Sequence, residues 1–228
     1  MTVRRRGRES YERLPRGTAR RRDVWVFTEG ELTEPQYVDL VKDLQPVRRN
    51  EVHIANDTRR PGGQRGRGTG GSGRKPKDLV EDAIDLLDRL REQVRGLPDE
   101  LMPVVWCIFD RDQHEDVDQA IARATRAGVR VAFSHPCFEL WRLLHHQPYT
   151  ARASGNCEEV ARRLPGVASL TAQERKAVTF GQIQGGFADA RKRAVQLERQ
   201  YASHVPFSQR DPYTDVWKFV EDLGVTEY

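Results

Sequence analysis

The run Val104-Val105-Trp106-Cys107-Ile108-Phe109, which leads into Asp110-Arg111-Asp112, limits the fold of this chain more than any other stretch. Six apolar, mostly β-favouring residues without polar alternation predict a strand buried on both faces, as in a parallel sheet covered by helices. Open α/β sheets hold their ligands at the carboxyl ends of such strands. If the extended backbone continues past Phe109, Asp110 and Asp112 project to one side and Arg111 to the other, where it could pair with another carboxylate. Two carboxylates so close repel each other unless a cation lies between them, so the pair predicts Mg²⁺ or Mn²⁺. The same spacing fits a turn in which Asp110 caps the following helix.

The rest of the pattern supports an α/β reading. Val24-Trp25-Val26-Phe27 predicts a first strand that ends at Thr28-Glu29-Gly30-Glu31, where Gly30 allows a tight turn. Thr33 reads as the N-cap of a helix with Pro35 in its first turn and Gln36 completing a capping box, and Tyr37, Leu40, Val41 and Leu44 form its apolar stripe. Glu51 to Ala55 is a short second strand. From Asp78 to Val94, Leu79, Ala83, Leu86, Leu87, Leu90 and Val94 recur at helical spacing. After the opening strand, Val117, Ala120, Ile121 and Ala124 mark another helix closed by Gly128, and Val129 to Phe133 is a fourth strand. The order βαβαβαβ predicts a mostly parallel sheet with helices on both faces. Helical patterns then dominate the carboxyl-terminal third, from the dense apolar Phe138 to His146 through Cys157 to Leu164, Thr171 to Val178, Phe187 to Tyr201 and Pro212 to Leu223.

Three segments follow from this: a basic flexible arm (1–23), an α/β core (24–146) and a helical extension packed on the core (147–228). Charge is unevenly spread, with nine arginines in the first 22 residues. Within the core, 56–77 lacks any large apolar residue and mixes seven glycines with Arg59, Arg60, Arg65, Arg67, Arg74, Lys75 and Lys77. That composition predicts a long surface loop suited to nucleic-acid phosphates, or a plain exposed insertion. It is not a Walker A loop, since the Gly-Lys-Ser/Thr order is missing. Three cysteines without a CxxC pair, no signal-like segment and no bilayer-length apolar run predict a cytoplasmic protein without a membrane partner.

Glu139 stands between Phe138 and Leu140, close to Trp141, where a carboxylate is costly unless it meets a cation or donors. His135, Cys137, Glu139, His145 and His146 also offer zinc-type ligands, but their spacing matches no closed structural motif. Cys107 and Cys157 read as packed side chains, Trp141 and Trp217 as core anchors, and His145 and His146 as cations at a helix end.

In a parallel sheet the first and third strands open at the same edge, so Glu29 can face Asp110 and Asp112. A glutamate at the first strand end and a DxD at a later one resemble the acidic set of Toprim proteins. "TEGELTEPQY" is similar to the version in the overcoming-lysogenization-defect nucleases. "TEGELTEPQYVDL", "IFDRDQHED", "SHPCFELWRLLHH" and "PYTDVWKFVEDL" together resemble the RloB-like family over about Asp23 to Leu223. That resemblance implies a Toprim-related α/β fold and a role in bacterial abortive infection and anti-phage defence, beside an AAA-type ATPase partner. It carries Glu29 to the Toprim glutamate, Asp110 and Asp112 to the DxD, and Glu139 to the family's FELW acid. His135 departs from the asparagine expected before Pro-Cys-Phe-Glu.

The expected activity is metal-assisted hydrolysis of DNA or RNA phosphodiesters. Asp110 and Asp112 would hold Mg²⁺ or Mn²⁺, with Glu29 sharing a metal or handling a proton and Glu31 or Glu34 assisting. Glu34 is equally readable as a dipole-favoured residue of the first helical turn. The alternative is a non-catalytic nucleic-acid- or nucleotide-binding module that works with an ATPase. A homo-oligomer is compatible with either reading.

Overall fold

The computed structural model describes residues 21–55, 74–111, 114–167 and 169–228. Most of the basic arm, the glycine-rich stretch with Arg59, Arg60, Arg65 and Arg67, and Asp112 lie outside the described residues.

The core is a five-stranded sheet: β1 (Arg22–Thr28), β2 (Asn50–Ile54), β3 (Val104–Asp110), β4 (Arg130–His135) and β5 (Tyr213–Thr214), in the order β2-β1-β3-β4-β5. The first four strands run parallel and β5 pairs antiparallel with β4. β3 sits centrally, and alternate side chains serve two cores. Trp106 and Ile108 face one, while Val105, Cys107 and Phe109 face the other. This is why its sequence carries no polar alternation.

Helices cover both faces. On one side α2 (Pro76–Gln93) and α3 (Val117–Ala127) bury Leu79, Ala83, Leu87, Val117, Ala120 and Ala124 against the sheet. On the other lie α1 (Thr33–Asp43), α4 (Glu139–Leu144), α7 (Phe187–Glu198) and α8 (Trp217–Asp222). Short helices α5 (Cys157–Arg162) and α6 (Ala172–Lys176) lie between α4 and α7. α3 ends on Gly128 at φ +83°, where Arg91 Nη2 would stand 2.7 Å from any Cβ. Glycine is the residue that suits both constraints. No helix among the described residues is long and apolar enough to cross a membrane.

Several local expectations are corrected. α1 begins at Thr33 with Leu32 as N-cap and no side-chain cap bond. The Thr33 hydroxyl instead donates to the Lys176 carbonyl at 2.9 Å, and Gln36 Oε1 accepts from the Val178 amide at 2.9 Å. Both side chains tie the 172–182 segment to α1 because it packs within their reach. Asp110 caps nothing, since α3 starts at Val117 behind Asp116. The carboxyl-terminal third is not purely helical, because it returns to the sheet as β5. β1 starts at Arg22, inside the stretch read as arm, and Arg22 Nη2 meets Asp222 Oδ1 at 3.1 Å.

Candidate active site at the carboxyl edge of the sheet

The chain leaves β1 toward β2 on one side and leaves β3 toward β4 on the other, so the strand order reverses between β1 and β3. A crevice opens at such a switch point, and the residues that follow the two strands flank it. Here these are Glu29 and Asp110. The Glu29 amide donates to the Ile108 carbonyl at 3.1 Å, and the Asp110 amide donates to Glu29 Oε2 at 3.1 Å. Glu29 Oε1 lies 2.9 Å from His114 Nε2. Glu29 is therefore buried and held at both oxygens, with its carboxylate over the end of β3.

Glu34 joins them from the first turn of α1. A Cβ on Gly30 would stand 2.2 Å from Glu34 Oε2, so the missing side chain at Gly30 leaves room for this carboxylate. Burial first, opposed in part by backbone hydrogen bonds and helped by nearby Glu139 and Glu29, leaves the Glu34 pKa raised to about 7. Asp110 is pushed well above the usual carboxylate range, first by burial of its carboxyl and then by Glu29 and Glu34, with smaller effects from Cys157 and Glu139. Glu29, Glu34, Asp110 and Glu139 thus share one electrostatic environment, whose largest cost is keeping several acids out of water.

Glu139 opens α4, and Arg142 Nη1 lies 4.0 Å from its Oε1. Arg142 is almost wholly buried and donates to the carbonyls of Arg175 and Ala177 at 2.7 and 3.0 Å and to Gln182 Oε1 at 3.3 Å. It fastens the 172–182 segment beside the site. Cys137, two residues before Glu139, shares a hydrogen bond with Cys157, which together with burial pushes its thiol pKa up.

Of the residues singled out in the sequence, Glu29, Asp110 and Glu139 are brought together, and Asp112 lies outside the described residues. Arg74, Lys75 and Lys77 are exposed where the chain enters α2. Arg111 finds no carboxylate among the described residues, and Nη1 donates to the His114 carbonyl instead. His135 faces Asp211 at 3.9 Å, and burial lowers its pKa. Among the described residues no three His, Cys, Asp or Glu side chains form a metal-holding group, so the zinc reading finds no support, and Glu29, Glu34, Asp110 and Glu139 by themselves make no three-ligand site. His145 is no helix-end cation. It is buried, its pKa is driven down to about 4, and its ring bonds the Trp141 carbonyl and the Tyr228 hydroxyl, each at 2.9 Å.

His114 and Arg142 escaped the sequence reading. Their roles depend on loop and helix packing that leaves no local pattern. Glu34 was visible as the second acid after Gly30, but only the fold separates an edge carboxylate from a helix-dipole residue.

Fold and site together define a class: a doubly covered, mostly parallel α/β protein with clustered acids at its topological switch point. Within that class, the family described as RloB-like protein matches residues 24–223, and the chain belongs to that family. No curated protein matches it, and no solved structure does.

Proposed function

We propose that this protein is a Toprim-type, divalent-metal-dependent nuclease that hydrolyses phosphodiesters of DNA or RNA, acting in bacterial anti-phage defence with an AAA-type ATPase. The observation that carries the reading is the carboxylate cluster at the switch point, with Asp110 raised by burial and by its neighbouring acids. A bound cation would displace the protons that the raised Glu34 and Asp110 carboxyls hold and offset the charge of the cluster, which lets an anionic phosphodiester approach. The donor set is hard oxygen, which fits Mg²⁺ or Mn²⁺. Mg²⁺ commonly uses one or two protein carboxylates and completes its shell with water and phosphate, so a closed protein cage is not required.

Asp110 and Glu29 are the proposed ligands, with Asp112 as the sequence-designated third. When bound, the metal would supply charge stabilisation to the attacking and leaving oxygens. Glu29 is held in place by the Asp110 amide and His114, which fixes its direction before substrate arrives. Glu139 and Glu34 set the negative potential of the cluster, and Arg142 limits it from behind.

The test is Asp110→Asn, assayed with Mg²⁺ or Mn²⁺ on DNA and RNA, with and without the ATPase. Removing a metal ligand should cost more than the 10–100-fold typical of a residue that merely supports one, so a loss of about a hundredfold or more is expected. Phage protection in cells should fall in parallel. Protection that survives Asp110→Asn with no cleavage by the parent would instead identify a non-catalytic module working with the ATPase.

A further inference from the structure

A cleft of about 210 Å³ runs between α2 and α3, lined by Lys77, Glu81, Asp116, Gln119, Arg123 and Arg126 among others. Arg123 donates to Glu81 through Nε and Nη2 at 3.0 and 3.3 Å, so that pair is internally neutral. Among the described residues Lys77 and Arg126 make no ion pair, and both are exposed. Arg74 and Lys75 lie at the same end, next to Lys77 in the chain. The lining thus sets three cations, Lys77, Arg123 and Arg126, against two carboxylates, Glu81 and Asp116, and the one positive charge in excess favours an anion.

One end of the cleft reaches the carboxyl edge of the sheet, on the face opposite to α1 and α4. Lys77 and Asp116 stand where α2 and α3 leave the carboxyl edge of the sheet. Asp116 is two residues from His114, whose ring contacts Glu29. From Val117 to Arg126 the helix advances about 14 Å, the reach of about four stacked nucleotides.

We propose that this cleft carries the phosphodiester backbone of the strand whose scissile phosphate lies at the carboxylates, with Lys77 and Arg126 contacting phosphates and Gln119 as a neutral donor. The inference rests on the nuclease reading and adds the path that the strand takes. Contacts of this kind position nucleic acid without reading its sequence. Affinity through the cleft is therefore sequence-independent and salt-sensitive.

The test uses the full chain with Asp110→Asn to prevent cutting, and labelled 20-nucleotide DNA and RNA of two unrelated sequences, followed by fluorescence anisotropy across a salt series. Adding Lys77→Glu and Arg126→Glu should raise Kd at least tenfold for both sequences. It should also make the slope of log affinity against log salt shallower by about 1.5, as expected for two lost phosphate contacts. A control pair on and just after α7, Lys192→Glu with Arg199→Glu, makes the same change in net charge on exposed residues and should have little effect. Equal losses in both double variants, or no loss in the cleft variant while the parent binds, overturn the cleft and leave the nuclease reading standing. A parent that binds neither DNA nor RNA overturns both. Polyglutamate that competes as well as unlabelled oligonucleotide would show a general polyanion surface and also overturn the strand path.

Discussion

Glu34 reaches the acid cluster with 6% of its surface exposed, and burial together with nearby carboxylates holds its pKa near 7. Its ionised form therefore opposes folding at alkaline pH. Glu34→Gln keeps the shape and removes the charge, so the metal-free protein should become more stable at pH 8.5, by about 1–3 kcal/mol. Urea midpoints of the two proteins check this, and an unchanged or lowered midpoint would count against a strained cluster. The gain should shrink as pH falls through 7 and vanish below 4.5, where the parent carboxyl is neutral in both states. At this scale the sequence was partly legible. Glu29 and Asp110 stand at strand ends that local pattern reveals, whereas Glu34 becomes a site residue only because Gly30 leaves space beneath its carboxylate.

Two residues of β5 appear too few to hold an edge, and Asp215 extends their grip. Its Oδ1 accepts from the Phe133 amide at 2.7 Å, its own amide donates to the Phe133 carbonyl at 3.1 Å, and Oδ2 accepts from the Tyr213 hydroxyl at 3.1 Å. Lys218 Nζ lies 3.3 Å from Oδ2, yet burial still raises the Asp215 pKa. Asp215→Ala would strand a buried amide and hydroxyl, and should destabilise the protein by about 2–4 kcal/mol. Asp215→Asn retains an acceptor for the Phe133 amide and should cost less. Chemical denaturation of both variants tests the ranking, and equal small losses would mean that Asp215 does not anchor the strand. Short strands such as β5 leave little trace in a sequence. The 18-residue α2, with its long apolar stripe, was readable at once.

Across the whole molecule, a chain of polar groups ties the far carboxyl-terminal residues to the first helix. The His145 Nδ1–H donates to the Trp141 carbonyl, Nε2 accepts from Tyr228, and the Tyr228 and Tyr37 hydroxyls meet at 2.5 Å. Burial lowers the His145 pKa from 6.5 to about 4. The neutral imidazole therefore contributes stability that is present above pH 6.5 and is lost as pH falls toward 4, by at most about 3 kcal/mol. His145→Gln should flatten this part of the stability profile relative to the parent, measured by urea unfolding between pH 4.5 and 7.5. Parallel profiles would exclude His145 as the titrating group.

The sequence by itself determined the elements whose signal is local: the unbroken apolar run of β3, the stripes of α2 and α3, the Gly128 stop, and acids placed just past strand ends. Periodicity reports which face of an element is buried, and it does so within a few turns. Only the tertiary structure decided that β1 and β3 are neighbours, so that Glu29 meets the Asp110 amide. It also placed Glu34 and Glu139 in the same field, bound Arg142 to the 172–182 segment, and returned Tyr213 to the sheet. Those outcomes depend on hydrogen bonds and burial between residues up to about two hundred positions apart, such as Arg22 with Asp222, and no local pattern encodes a partner that distant.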